Sequence, residues 1–215
     1  MSQPSRGLQV AVWGGLALVI AALLLAFLFQ ERTRVAEPLP VLFSLPDFTL
    51  TNQHGEPVGL AQLRGHPWLV DIIFTQCAGP CPEMTQRMAG LQTLLPEKAG
   101  VLLVTLTTDP EHDTPAVLQA YARKFNAQPG RWHFLTGSKA QIAELAVGGL
   151  KLSAIEKAPG ERTNPVDLFI HSTLFVLVDA QARVRATFES DDPEMKKKVI
   201  AAVKRLQRET PGGAP

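Results

Sequence analysis

A long stretch without charge near the amino terminus constrains this chain more than any other feature. Residues 8–29 read LQVAVWGGLALVIAALLLAFLF, with Gln9 as the only clearly polar side chain, and charge resumes at Glu31 and Arg32. A helix needs about 20 apolar residues to cross a bilayer, whereas the apolar part of a cleaved secretory signal has about 7–15. We therefore predict a transmembrane signal anchor at residues 8–29, after a short segment at residues 1–7.

Charges beside this stretch do not by themselves decide its orientation. Arg6 precedes it, and Arg32 and Arg34 follow it, but the positive-inside rule weakens when a long folded domain comes next. A lone amino-terminal anchor commonly exports the domain behind it, and the Arg- and Ser-rich character of a transit peptide is absent. We predict a single-pass protein of a bacterial inner membrane, with its domain on the outer side. The alternative is a signal peptide cleaved near Val35-Ala36.

The rest of the chain divides into a linker, one domain and a tail. Residues 30–44 are charged and then proline-bearing, which is typical of a linker. We predict the domain at residues 45–207 and a disordered tail at residues 208–215. The formal net charge of +1 gives no sign of a basic surface that would bind nucleic acid. We expect the protein to be a monomer.

Within the domain, apolar runs of strand length alternate with stretches of helical periodicity. Such alternation is typical of a layered α/β domain with antiparallel pairs at its edges. A hairpin is predicted around Asn52 to Gly55. Further strands are predicted at residues 68–74, 101–106, 132–135, 174–178 and 184–188, and helices at residues 82–95, 114–125, 140–147 and 193–206.

The chain has two cysteines, Cys77 and Cys81, in the run FTQCAGPCP between a predicted buried strand and a helix. They are too close in sequence to cross-link distant parts of the chain, so their role is local. They could carry out redox chemistry, bind a metal or close a small structural loop. Pro82 suits a first helical turn, which puts Cys81 at the N-cap, where the helix dipole favours a thiolate. The C-x-x-x-C spacing leaves room for an ion without forbidding a disulfide, and two thiolates favour copper(I) or zinc.

A third metal ligand is to be sought among the five histidines. His54 lies in the predicted hairpin turn, His66 in a surface loop, and His133 at a strand start, where structural roles are expected. His112 lies in a loop that should open at the same end of the sheet as the cysteines, and it is a weaker candidate. His171 lies directly before a predicted strand and after a long loop, where functional residues concentrate.

Asp71 interrupts the predicted buried strand that leads to the cysteines. An unpaired carboxylate is costly in such a place. One interpretation is that Asp71 supports the cysteine loop. The other is that it pairs with a backbone group or a basic neighbour, as buried charges normally do.

Five runs, in order along almost the whole domain, resemble the Sco/SenC family: PDFTLTNQHGEPVGLAQLRG, FTQCAGPCPEM, TLTTDPEHDTP, WHFLTG and HSTLFVLVD. The resemblance implies a thioredoxin-like three-layer α/β sandwich with an amino-terminal transmembrane helix. It also implies a copper metallochaperone that assembles the copper A centre of cytochrome c oxidase. Cys77, Cys81 and His171 would bind Cu(I) or Cu(II), and the partner would be the copper A-bearing subunit or another copper acceptor. Ile170 replaces the Asp that often precedes the histidine in the family.

Three other interpretations compete with a copper chaperone. The first is a thiol–disulfide oxidoreductase, in which Cys77 and Cys81 are catalytic. The second is a peroxiredoxin-like peroxidase, although the usual proline ahead of its reactive cysteine is missing. The third is a structural disulfide, which would stabilise little across so short a loop.

Overall fold

The computed structural model describes residues 6–33, 37–157, 160 and 169–209, with the backbone alone at residues 6, 8–12, 27–33, 154–156 and 169–171. The chain forms two compact units, residues 1–37 and residues 38–215. The predicted terminal segments lie largely outside the described residues, which exclude 1–5 and 210–215, and so does the alternative cleavage site at Val35-Ala36.

The first unit contains one helix, α1 (Arg6–Thr33), which covers the predicted anchor at residues 8–29. Along its middle the described apolar side chains, such as Trp13 and Leu18, are exposed. Within the part of the chain that the structure describes, none of the helices is both long enough and apolar enough to cross a bilayer.

The second unit is built from ten strands and five α-helices in its described residues. The strands are β1 (Phe43–Ser44), β2 (Thr49–Asn52), β3 (Pro57–Gly59), β4 (Trp68–Ile73), β5 (Leu102–Thr107), β6 (Trp132–Thr136), β7 (Ala154–Glu156), β8 (Phe169–His171), β9 (Leu174–Val178) and β10 (Arg183–Glu189). The helices are α2 (Leu60–Leu63), α3 (Cys81–Leu94), α4 (Pro115–Lys124), α5 (Lys139–Ala143) and α6 (Met195–Glu209).

Eight of the strands form one sheet in the order β1-β10-β9-β4-β5-β6-β2-β3, and β7 pairs with β8 in a separate sheet. In the large sheet, β4 runs parallel to β5 and antiparallel to β9. Every residue of β4 is buried, which explains why this strand reads as a nearly continuous apolar run.

Successive side chains of β4 enter two different hydrophobic clusters, as strand alternation requires. Leu69 and Ile73 pack in a cluster with the buried faces of α3, α4 and α6. Val70 and Ile72 pack in a cluster on the other face with α2 and α5. Helices therefore cover both faces of the sheet, which confirms the predicted three-layer α/β sandwich.

The second half of the domain departs from the predicted elements. The predicted strand at residues 174–178 is confirmed as β9, but His171, expected in the loop before that strand, ends a short strand of its own, β8. Ser172 donates its N–H to the carbonyl of Ser153 at 3.1 Å, and its hydroxyl accepts the N–H of Ser153 at 2.8 Å. These bonds extend the antiparallel pairing of β7 and β8 by one residue on each strand. Both strands are too short for apolar alternation to reveal them in the sequence.

Arg185 connects the segment before β1, strand β10 and the end of α6. Its side chain is only 4% exposed, and it contacts Asp179 at 2.8 Å and Glu209 at 2.5 Å. Its Nε donates to the carbonyl of Pro40 at 3.0 Å, and its Nη2 donates to that of Leu39. This buried guanidinium thus fixes residues 39–40 and the carboxyl end of α6 to the sheet.

We expect Arg185→Met to destabilise the domain by about 3–5 kcal/mol, because it removes the buried cation that bridges Asp179 and the half-buried Glu209, and leaves Asp179 only the more exposed Arg183. Arg183→Met is the matched control: Arg183 also contacts Asp179 at 2.8 Å, but its side chain is 38% exposed, so the expected loss is about 1 kcal/mol or less. Urea unfolding of both variants checks this. Equal losses would contradict the role assigned to Arg185.

The same network predicts acid sensitivity. Burial alone would raise the pKa of Asp179, but hydrogen bonds from the Arg183 backbone and the Arg185 and Arg183 side chains lower that pKa below its usual value. This stabilisation is complete above the unfolded-state pKa of about 3.9 and is lost as the pH falls through the folded-state pKa. We expect Asp179→Asn to flatten the dependence of unfolding free energy on pH below about pH 4, which unfolding curves across that range measure.

Candidate metal centre

The two cysteines lie where β4 ends and α3 begins. The N–H of Cys77 donates to the carbonyl of Phe74 at 3.2 Å, and the N–H of Gly79 donates to Sγ of Cys77 at 3.3 Å. These contacts form a tight turn that returns the chain to the start of α3. The prediction that Cys81 is the N-cap is wrong by one residue, because Pro80 is the N-cap and Cys81 is the first helical residue.

The two thiols have different environments. Neither cysteine forms a disulfide; Cys77 is half-buried, and Cys81 is fully buried in the cluster under α3. A hydrogen bond with Cys77 and burial raise the pKa of Cys81 far above its usual value, against a backbone hydrogen bond from Phe74 that lowers it. The expectation that the helix terminus favours a thiolate at Cys81 is therefore wrong, because the neighbouring sulfur and the buried surroundings outweigh it.

The first turn of α3 is held by side chains from α3 and α4. The hydroxyl of Thr85 donates to the carbonyl of Cys81 at 2.9 Å and lies 3.1 Å from the hydroxyl of Tyr121. Burial raises the pKa of Tyr121, so this phenol stays protonated and able to donate. The backbone of Cys81 is thereby fixed.

Asp71 lies beneath the cysteine turn and is fully buried. Its Oδ1 accepts the hydroxyl of Thr105 at 2.7 Å, and that hydroxyl oxygen accepts the indole N–H of Trp132 at 3.0 Å. In these contacts the partner of Asp71 is a neutral hydroxyl on the paired strand, rather than the predicted backbone group or basic neighbour. The charge of Asp71 also contributes to the raised pKa of Cys81, which puts the carboxylate within electrostatic reach of the site.

A second buried carboxylate, Asp113, joins the loop after β5 to the segment before Cys77. It accepts the Thr75 N–H at 3.0 Å and also the hydroxyls of Thr75 and Thr107. His112 lies beside it, with Nδ1 at 3.0 Å from Oδ1 of Asp113. The prediction that this loop opens at the same end of the sheet as the cysteines is confirmed. The role of Asp113 was missed, and the only signal for it was its position directly before the helix start at Thr114-Pro115.

The register of β9 against β4 locates the backbone of His171. Val70 pairs with Val176 and Trp68 with Val178, so each step toward the end of β4 is a step toward the start of β9. The residues before Leu174 therefore emerge past the end of β4, at the edge where the cysteine turn begins. The His171 backbone, paired with Ala154 in the β7–β8 sheet, lies in this segment, and the side chains of residues 170 and 171 lie outside the described part of the chain.

The remaining histidines have contacts of their own. Nδ1 of His54 is 3.3 Å from the amide nitrogen of Gln119, and Nδ1 of His66 is 3.1 Å from the carbonyl of Gly100. Burial lowers the pKa of His133. Among the side chains that the structure describes, no group of three or more His, Cys, Asp or Glu residues is placed to hold a metal ion.

The donor chemistry at the edge of β4 suits a soft metal. Two thiols lie within hydrogen-bonding reach of each other, and the carboxylates below them accept hydrogen bonds from threonine side chains. Sulfur donors with an imidazole favour copper or zinc over magnesium or calcium. The negative charge of Asp71, which opposes thiolate formation, would favour a bound cation.

Comparison with known proteins identifies the family of the second unit. The SCO1/SenC family model matches residues 42–208, which is nearly the whole second unit. The chain belongs to the SCO1/SenC family. A SCO1 protein homolog of Bacillus subtilis (strain 168) is 34% identical over 167 residues, which are 77% of this chain and 83% of that protein.

Solved structures of the family share the fold. A SCO1/SenC family lipoprotein from Bacillus anthracis str. Ames has a TM-score of 0.71 at 31% identity, covering 80% of this chain and 98% of that one. BsSco, from a study of a disulfide switch in this member of the Sco family of cytochrome c oxidase assembly proteins, has a TM-score of 0.67 at 32% identity, with coverage of 81% and 98%. Bradyrhizobium japonicum ScoI with copper bound has a TM-score of 0.64 at 24% identity, with coverage of 76% and 99%.

The unequal burial of the two thiols predicts unequal reactivity. In Cys81→Ser the remaining Cys77 is half-exposed, and in Cys77→Ser the remaining Cys81 is buried. We expect iodoacetamide at pH 8 to modify the first variant at least about tenfold faster, because alkylation needs an accessible thiolate. Mass spectrometry measures the rates, and both variants should react alike in urea. Equal rates in the folded proteins would show that Cys81 is accessible.

Proposed function

We propose that this protein binds copper through Cys77, Cys81 and His171 and delivers it during assembly of the copper A centre of cytochrome c oxidase. The observation that carries the proposal is the convergence at one sheet edge. Two thiols within hydrogen-bonding reach of each other lie past the end of β4, and the backbone of His171 reaches the same edge from β8. Membership of the SCO1/SenC family supports it.

The proposed ligands suit a metal that must later be released. Two thiolates are soft donors, and a neutral imidazole completes a three-ligand set for Cu(I) or Cu(II). Because Cys77 is partly exposed, the thiolates of an acceptor could reach the ion and replace these ligands one at a time. The side chain of Ile170 cannot accept a hydrogen bond from the imidazole, so any side-chain acceptor that orients the His171 ring must come from elsewhere.

The client follows from the relatives rather than from the site. BsSco is described as a cytochrome c oxidase assembly protein, and ScoI is known with copper bound. We infer that the acceptor is the copper A-bearing oxidase subunit or another exported copper protein. We further propose that residues 8–29 anchor the chain in a bacterial inner membrane with the second unit on the outer side. This anchor is inferred from the uncharged apolar sequence.

A second candidate function uses the same dithiol without the metal. Cys77 is accessible, and Cys81 lies buried behind it within hydrogen-bonding reach. The Cys77 thiolate could attack a client disulfide and form a mixed disulfide; Cys81 would then displace the client thiol, leaving a Cys77–Cys81 disulfide and a reduced client. In this activity His171 has no required role.

The decisive measurement is titration of the reduced protein with Cu(I) against a competing chelator. We expect one copper per chain, and we expect Cys77→Ser, Cys81→Ser and His171→Ala each to lose more than about 100-fold in affinity, since even outer-shell partners of a metal site contribute about 10–100-fold. His66→Ala is the control, because the His66 ring contacts Gly100, away from the cysteines.

The outcomes separate the two functions. If His171→Ala abolishes copper binding but leaves reduction of an insulin disulfide unchanged, His171 serves the metal and the dithiol serves both activities. If the wild type does not compete for Cu(I) at all, copper binding is excluded. Disulfide reduction then becomes the function to measure.

A further inference from the structure

The Asp113 carboxylate is fully buried and lies outside the proposed ligand set. All of its recorded contacts come from groups that donate or can donate. They are the Thr75 N–H at 3.0 Å, the Thr75 hydroxyl and the Thr107 hydroxyl at 2.5 Å each, and Nδ1 of His112 at 3.0 Å. A carboxylate offers about four acceptor positions, so these contacts use its whole capacity.

Two of these contacts hold the segment that enters the cysteine turn. Thr75 is two residues before Cys77, and it is bonded to Asp113 through both its N–H and its hydroxyl. The turn that follows begins at Phe74, whose carbonyl accepts the Cys77 N–H. The orientation of Thr75 therefore controls the direction in which the chain leaves β4 toward Cys77.

The other contacts attach Asp113 to the neighbouring strand. Thr107 is the last residue of β5 and pairs with Ile73, the last residue of β4. The N–H of Thr108 donates to the carbonyl of Ile73 at 2.8 Å, which holds the two strand ends together. Asp113 thus connects the start of the cysteine turn to a rigid part of the sheet, whereas Cys81 is fixed separately through α3 and Thr85.

We propose that Asp113 is a positioning residue for the dithiol: by holding Thr75 it sets the position of the Cys77 sulfur relative to that of Cys81, and thereby tunes both the thiol–disulfide equilibrium and the affinity for Cu(I). The redox part stands on the geometry of the dithiol alone, and the copper part rests on the proposed function. In the structure the two cysteines do not form a disulfide, and Asp113 holds Thr75 in that arrangement. If Thr75 is loosened, Cys77 is free to approach Cys81, and the equilibrium shifts toward the disulfide.

Asp113→Asn tests this with almost no change in size. The amide replaces one acceptor oxygen by a donor, so the side chain can no longer accept from the Thr75 N–H, the two hydroxyls and His112 at once. In the full-length protein in detergent, equilibrated with glutathione, we expect the equilibrium to shift about tenfold toward the disulfide, about 30 mV for a two-electron couple. We expect Cu(I) affinity, measured by chelator competition, to fall about 10–100-fold.

Substitutions of the two threonines separate positioning from stability. Thr75→Val removes the hydroxyl donor and should reproduce the Asp113→Asn shifts in part, whereas Thr75→Ser keeps the donor and should restore wild-type values. Thr93→Val is the matched control, because it removes a hydroxyl that bonds the Ala89 carbonyl on the exposed side of α3, away from Asp113, and it should leave both equilibria within about twofold. Combining Asp113→Asn with Thr75→Val should add little to the single change.

Each outcome decides between the two proposals. Wild-type equilibria in both Asp113→Asn and Thr75→Val would overturn the role of Asp113 and leave copper binding intact. A wild-type protein that binds no Cu(I) would overturn the proposed function, while the thiol–disulfide equilibrium would still test Asp113. If Asp113→Asn does not fold, equal values for Thr75→Val and Thr75→Ser would overturn the inference.

Discussion

The pairing of β4 with a parallel strand on one side and an antiparallel strand on the other determines where the candidate site lies. The parallel pairing with β5 brings the loop that carries His112 and Asp113 past the same edge as the cysteine turn. The antiparallel pairing with β9 brings the approach to β9 to that edge as well. A shift of either pairing by one residue would turn the inward side chains of the shifted strand to the opposite face, so the site depends on this register.

The surroundings of the dithiol have a consistent electrostatic character. In their described contacts, Asp71 and Asp113 accept hydrogen bonds from neutral hydroxyl and backbone groups and from an imidazole. The Asp71 charge adds to the hydrogen bond with Cys77 and to burial in raising the pKa of Cys81. A cation between the sulfurs would reverse this balance, because it compensates the thiolates and the carboxylate together. The same features that raise the pKa of Cys81 would therefore favour a cation bound beside it.

Periodicity in the sequence predicted most of the sandwich, because its strands and helices are long enough to show their pattern. The apolar run of β4 and the helical spacing of α3 placed the cysteine turn correctly between them. The β7–β8 hairpin was missed, since strands of three residues carry too little alternation to be recognised. The N-cap was misplaced by one residue because Pro80 and Pro82 both suit a helix start.

The sequence by itself determined the class of the domain, the local pairing of two cysteines at a strand-to-helix turn, and the likeness to the SCO1/SenC family. Only the tertiary structure decided that Cys81 is buried while Cys77 is accessible, that Asp71 is held by Thr105, and that Asp113 holds Thr75. These contacts join residues 34 to 38 positions apart, and they depend on the register of strands that pair across the sheet. Local sequence patterns specify strands and helices, whereas the partner of a buried polar group is specified only when those elements pack.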